Sequence, residues 1–428
     1  MDKRYIILGV ALLALFIVGA IFAVSSCNKK PQTTELTLLT YQDEDALKEA
    51  LKDYETLNSI KVNIVQKDPQ NYELDSLNLI STGKVDVWGI PNNWLPKQHD
   101  KLAFRDGKSD ITAYKALYPE VVQKDNIIDN KIYGYPLVAD PLVMYVNSDL
   151  ISAAKRGNNL SEADKDILDK KPLNWDDVAA QARLITIKSG DTVTTAGIAL
   201  GTDDLAAAPA ILTTLITQNG AQMTNDNNSE ASFHTSVNKF SGGDYPGAKA
   251  LDFYTGFADP NNPNFSFSQT FGDTTRAFAE GQIAYYIDFA SKAKDIETIN
   301  PELNYAVASL PQVRESQNPV NYIAYETFAV PNSSTDQTAA WDLIDYLNSE
   351  KILETFAKVS NKDLITDVES GENANAIKTA LSWYNPDATA VDNIFRTSIA
   401  QVLQGVSAQT TLDSAALQVT DLLKKIGN

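Results

Sequence analysis

The apolar positions of this chain switch repeatedly between near-alternation over short runs and three-and-four spacing over longer ones. Glu35–Thr40 reads as a strand, with Leu36, Leu38 and Leu39 apolar. Asp43, Glu44 and Asp45 then put carboxylates where a helix N-terminus favours them, and Leu47, Ala50, Leu51 and Tyr54 recur on one helical face. Residues 61–65 alternate with Val62 and Ile64 inward. A helix carrying Leu74, Leu77 and Ile80 runs toward Gly83, a suitable C-cap, and 85–90 forms a third strand in which Trp88 points to the core. Strand, helix, strand, helix, strand predicts a parallel sheet with helices on its faces, an α/β fold.

The same alternation continues downstream. Helices are predicted over 175–185, 206–219, 248–257 and 274–280, strands over 196–200 and 283–287, and a hairpin from 221–224 and 230–233 around the turn 225–229. Tyr285 and Tyr286 are adjacent in a strand, so they face opposite ways. Residues 147–173, rich in Lys and Asp, read as a solvated surface helix. The tail from Asp336 is mostly helical, with a break around 382–387.

The N-terminus carries a different pattern. Asp2, Lys3 and Arg4 precede an uncharged apolar run over 5–24, which ends in Val24-Ser25-Ser26-Cys27. A charged start, an apolar run and small residues describe an export signal. The last four residues resemble the lipobox of bacterial lipoproteins, which implies acylation of Cys27. The other reading is an uncleaved membrane helix, since the run is long enough to span about 30 Å of hydrocarbon. Either way the body is expected outside the cytoplasm, on the outer face of the cell membrane. Residues 28–34 are polar and read as a tether.

Composition narrows the function. The formal net charge of −19 opposes binding to nucleic acid. Cys27 is the only cysteine, so no disulfide framework within the chain is possible. Only His99 and His234 are present, which removes a histidine-rich metal site, and no Gly-rich nucleotide loop occurs. No cofactor or metal is expected.

Over almost the whole exported part, the chain resembles the family 1 extracellular solute-binding proteins, the maltose-binding type of transporter receptor. The segments that carry the resemblance run in the family's order: 36–54, 61–65, 85–96 (VDVWGIPNNWLP), 133–147 (YGYPLVADPLVMYVN), 172–184 (PLNWDDVAAQARL), 277–287 (AFAEGQIAYYI), 305–311 (YAVASLP) and 328–331 (FAVP). The resemblance implies a two-lobed, type II periplasmic-binding-protein-like fold with discontinuous lobes around a ligand cleft. The expected division is 35–140 with 289–328 for the N-terminal lobe, and 141–288 with 329–428 for the C-terminal lobe. The crossings are placed near 137–146, 288–290 and 326–332. The implied function is an extracytoplasmic receptor of an ABC importer that closes on its ligand by hinge motion, with permease subunits as partners.

Parallel α/β sheets bind ligands beyond the carboxyl ends of their strands, and clefts between domains concentrate pockets. The candidates in such positions are Tyr41, Gln42, Asn92, Asn93, Trp94, Asp140, Tyr286, Asp288, Phe289, Tyr325 and Glu326, with Trp383 from the tail. Aromatic faces with Asp, Glu, Asn and Gln suit a sugar or oligosaccharide. An extracellular carbohydrate-active enzyme is the alternative, as is a non-sugar receptor used in sensing. Ser152-Ala153-Ala154-Lys155 and Ser291-Lys292-Ala293-Lys294 match the S-x-x-K of serine enzymes, a pattern expected by chance in a chain of this composition.

Overall fold

The structure, a computed structural model, describes residues 35–426 apart from 69–70, 158–159, 191, 238–243, 315–318, 361–364 and 366–372. The expected anchor at Cys27, its preceding segment and the tether 28–34 lie outside the described residues. Among those described, no helix is long and apolar enough to cross a membrane.

The described residues form eleven strands: β1 (Glu35–Thr40), β2 (Lys61–Gln66), β3 (Val87–Pro91), β4 (Ile127–Ile128), β5 (Lys131–Ile132), β6 (Tyr135–Asn147), β7 (Ile187–Ser189), β8 (Thr192–Ala199), β9 (Ile283–Phe289), β10 (Tyr305–Ser309) and β11 (Ile323–Ala329). Nine form one sheet in the order β2-β1-β3-β11-β6-β9-β8-β7, with β10 also on β6, while β4 and β5 pair separately. The β1–β2, β1–β3 and β8–β9 pairs are parallel, as the alternation of strands and helices predicts.

The thirteen residues of β6 serve two half-sheets. Its first half pairs with β11 through Asp140↔Ala324 and Ala139↔Tyr325. Its second half pairs with β9 and β10 through Val143↔Asp288 and Asn147↔Tyr305. Each half-sheet has its own core. The larger core gathers Val143, Tyr145, Ile198, Phe257, Phe278 and Tyr285 with the C-terminal Phe395 and Leu412. The other half is packed on both faces, with Leu36, Leu47 and Phe328 on one and Leu39, Tyr72, Trp88 and Trp94 on the other.

These cores correct the expected division of the chain. Residues 289–310 remain with the C-terminal lobe, because β10 pairs with β6 and both Ile296 and Leu310 are buried in its core. The helices Gln337–Leu347 and Glu350–Ser360 instead complete the N-terminal core, where Leu343, Ile344, Leu347 and Phe356 pack with Leu36 and Leu47. The break expected around 382–387 is a crossing in its own right, leading from the N-terminal side into the helix Ala388–Leu403. Smaller differences follow from burial. Leu74 is exposed, since Tyr72, Ser76 and Ile80 form the buried face of their helix. The segment 147–173 holds two helices, Ser148–Arg156 and Glu162–Asp169, rather than one. The expected hairpin keeps a single bridge, Thr224↔Ala231.

One buried carboxylate ties the crossings together. Asp125, at the end of the helix Glu120–Asn126, accepts hydrogen bonds from the Asn92 amide (3.0 Å), the Tyr325 hydroxyl (2.5 Å) and the Ser382 hydroxyl. The three donors come from the loop after β3, from β11 and from the third crossing. Lys97 adds a second tie to that crossing, with its ammonium 2.6 Å from Asp387 and 2.7 Å from Glu73. Burial pushes the Asp125 carboxyl up to about 6, while its hydrogen bonds and the charge of Lys124 pull the other way. An acid whose folded pKa lies above its unfolded value favours folding below the unfolded value. It loses that contribution as pH rises through its folded pKa. The Asp125→Asn variant should therefore show a flatter decline in stability between about pH 4 and pH 6, by up to about 3 kcal/mol. Denaturation midpoints of both proteins across that range test this, and equal slopes would contradict it.

Candidate functional site

The strand ends of the two lobes meet in front of the crossings. β1 stops at Thr40 because Asp43 caps the next helix, Glu44–Asn58, by accepting from the Ala46 amide at 2.9 Å. Tyr41 and Gln42 are thereby held in the short link between strand and helix. The Thr40 hydroxyl donates to the Glu326 carboxylate (2.8 and 3.0 Å) and accepts from the Gln42 amide (2.9 Å). Glu326 lies over Gly89, where a Cβ would sit 1.9 Å from its Oε1, so a larger residue there would displace the carboxylate. The Tyr41 ring meets Tyr72 edge-on at 5.1 Å, and Tyr72 lies 5.8 Å from Trp94. Burial, with Glu326 and Asp140 nearby, raises the Tyr41 hydroxyl well above its ordinary value, so it remains a neutral donor.

The other lobe faces this group through the turn after β9. Asp140 accepts from the Ser291 amide (2.9 Å) and hydroxyl (2.6 Å). Asp288 accepts from the Phe289 amide (2.8 Å) and the Tyr286 hydroxyl, and Tyr286 and Thr275 share a further bond at 2.9 Å. Burial raises the Asp288 carboxyl, opposed by the Tyr286 and Phe289 bonds. Phe289 stands 6.1 Å from Tyr322. Beside them, the loop after β8 is fastened by Arg396, which donates to the carbonyls of Asp203, Leu205 (2.8 Å) and Ala206 (2.9 Å). The Asp203 carboxylate accepts from Gln269 at 2.9 Å. Carboxylates, hydroxyls, amides and aromatic faces thus converge from both lobes. Such a set can hydrogen-bond a polar solute and cover its apolar faces.

The structure separates the sequence candidates into groups. Tyr41, Gln42, Asp140 and Glu326 come together on the front of the crossing strands, with Tyr286, Asp288 and Phe289 at the adjoining end of β9. Asn92 and Tyr325 belong to the Asp125 network. Paired residues of antiparallel strands share a face, so Ala139, Ile323 and Tyr325 lie opposite Asp140, Ala324 and Glu326. Trp94 is 8% exposed within the N-terminal core, with Asn93 half-buried beside it. Trp383 lines a cavity behind the crossings. Sequence reasoning missed Thr275, Ser291, Tyr322 and Arg396. Ser291 stood out only as part of an S-x-x-K pattern; its hydroxyl donates to Asp140, and Lys294 lies 3.9 Å from Asp43. Among the described residues, no group of three or more His, Cys, Asp or Glu is placed to hold a metal.

Residues 49–365 match the bacterial extracellular solute-binding protein family. No curated protein matches the chain. Among solved structures, it is similar to an ABC transporter solute-binding protein from Thermotoga lettingae bound with alpha-D-tagatose, at 20% identity and TM-score 0.71 over 91% of this chain and 100% of that one. The GacH receptor of Streptomyces glaucescens, solved unliganded and with acarbose, shows 17% identity and TM-score 0.71 over 92% and 99%. The maltose-binding periplasmic protein MalE from Listeria monocytogenes, in complex with maltose, shows 20% identity and TM-score 0.69 over 91% and 98%. At these identities the likeness is one of fold, that of two-lobed binding proteins. The family match spans most of the chain and agrees with the two half-sheets described above: this chain belongs to the bacterial extracellular solute-binding proteins.

Proposed function

We propose that the protein is the receptor of an ABC importer, held at the outer face of the membrane through Cys27, and that it binds a sugar or oligosaccharide in the front cleft. The observation that carries this reading is the convergence of Tyr41, Asp140 and Glu326 with Asp288 and Phe289 from the other lobe. Ligand bridging these groups favours the arrangement in which the lobes are closest, and its differential affinity sets how far closure shifts. The chain makes and breaks no bond in this role. Sugar ligands of the structurally similar proteins support the ligand class. An extracellular carbohydrate-active enzyme would need two carboxylates facing one glycosidic bond; product formation from an oligosaccharide distinguishes it.

A thermal-shift panel of mono- and oligosaccharides, amino acids and peptides tests the ligand. A bound solute at a hundredfold over its Kd adds about 2.7 kcal/mol of stability. Stabilisation by one saccharide class without turnover is expected, and stabilisation by amino acids or peptides alone would overturn the sugar assignment. With the ligand known, Tyr41→Ala and Asp140→Asn should each weaken binding by about tenfold or more, the equivalent of one charge-assisted hydrogen bond or ring contact. Calorimetric titration measures this, and an unchanged Kd for both variants would remove the front cleft from consideration. Finally, Cys27→Ser should abolish lipid labelling of the expressed chain; persistence of the label would place the anchor elsewhere.

A further inference from the structure

The lobes enclose a second space, a cavity of about 490 Å³ behind the crossing strands. Two observations separate it from the front cleft. Its N-terminal wall includes Asp125, which bonds Tyr325 on the strand face turned away from Asp140 and Glu326. Its C-terminal wall begins at Thr217 and Gly220, at the end of the helix Ala208–Gln218. The front loop held by Arg396 lies at the start of that same helix. Eleven residues at 1.5 Å each put the two spaces about 16 Å apart along it.

The walls of this rear groove are built and chemically mixed. Trp383 and Tyr384 offer half-buried aromatic faces from the third crossing. Opposite them, Gln222 supplies an amide and Thr224 a hydroxyl that donates to the Asn228 side chain at 2.7 Å and can still accept. The Asn225 turn is fixed, since its side-chain oxygen accepts from the Ser229 amide (2.9 Å) and the Glu230 amide (3.2 Å). Its main-chain amide donates to the Glu230 carbonyl at 2.9 Å. Lys124, Asp125 and Asp226 bring both signs of charge to the wall, with one carboxylate in excess. The volume falls within the range of small-molecule sites.

We propose that the rear groove is a second binding site, for a neutral ring-shaped polyol of mono- to disaccharide size. Aromatic faces cover such a ring while amides and hydroxyls bond its edge, and the acidic excess of the wall turns away anions. The assignment stands independently of the front cleft. An occupant touches both lobes and the crossing between them, so its binding is coupled to the lobe angle. That coupling acts reciprocally on the front ligand.

Calorimetric titration of the full chain in detergent with D-glucose, maltose and maltotetraose tests this. The variants are a front pair (Tyr41→Ala with Asp140→Asn) and two rear changes made in that background. Gln222→Trp places a large ring in the groove from an exposed position, and Trp383→Ala removes an aromatic wall. Melting curves without ligand establish that each variant folds, and Trp383→Ala serves if Gln222→Trp does not. The expected result is two equivalents of saccharide on the wild type, one on the front pair and none after either rear change. A front pair that binds nothing, or front-pair binding whose Kd and stoichiometry the rear changes leave unaltered, overturns the rear site. Identical single-equivalent titrations of wild type and front pair, lost on the rear change, would uphold the rear site and overturn the front one. Absence of binding to the wild type would overturn the polyol class for both.

Discussion

Everything in this molecule that concerns a ligand depends on β6 being shared. A single strand belongs to the N-terminal half-sheet for its first half and to the C-terminal half-sheet for its second, so the two lobes cannot set their registers independently. Alternation along β6 and β11 then assigns every neighbouring side chain to one of two sides. Asp140 and Glu326 go forward, where Thr40, Tyr41 and Ser291 meet them. Ala139 and Tyr325 go back, where Asp125 gathers three donors. A one-residue slip would exchange these sets and bury the two carboxylates against the wrong neighbours.

The two buried acid groups do different work on the two sides. At the back, Asp125 is saturated by donors from three segments and acts as a knot between crossings. At the front, Asp140 and Asp288 use some of their capacity to hold the turn after β9, through Ser291 and Phe289. The bonds from Ser291 to Asp140 also tie the turn after β9 to the middle of β6, whereas Asp288 is held within its own strand. Arg396 extends the principle: its guanidinium contributes by fixing three carbonyls of the β8 loop rather than by reaching into the cleft.

Much of this was legible in the sequence because strand ends are legible. The switch from alternation to helical spacing after Thr40 put Tyr41 and Gln42 at a strand's carboxyl end; the same logic expected Asp140 just after a strand, but it sits in the middle of β6. What sequence could not resolve was the side of the sheet. Tyr325 and Glu326 are adjacent and so face opposite ways, and only the pairing with β6 decides which of them goes forward. Trp94, beside turn residues, looks available, yet Tyr72 draws it into the core. The division of the tail was also hidden, because the amphipathic helices over 337–360 would suit either lobe. Their destination is decided by contacts with Leu36 and Leu47, some three hundred residues earlier in the chain.

That last contact has a consequence for how the protein is made. The N-terminal core is begun by Leu36 and Leu47 but closed only by Leu343, Ile344 and Phe356. Until the ribosome has produced those helices, the early strands have no partner for one of their faces and their apolar surface stays open. Contacts of such long sequence separation form late and slowly. Neither half-sheet is complete before β9 and β11 have been made, so β6 lacks these partners for most of synthesis. The interrupted chain order thus works as a timer, postponing compaction until most of the protein has been synthesised.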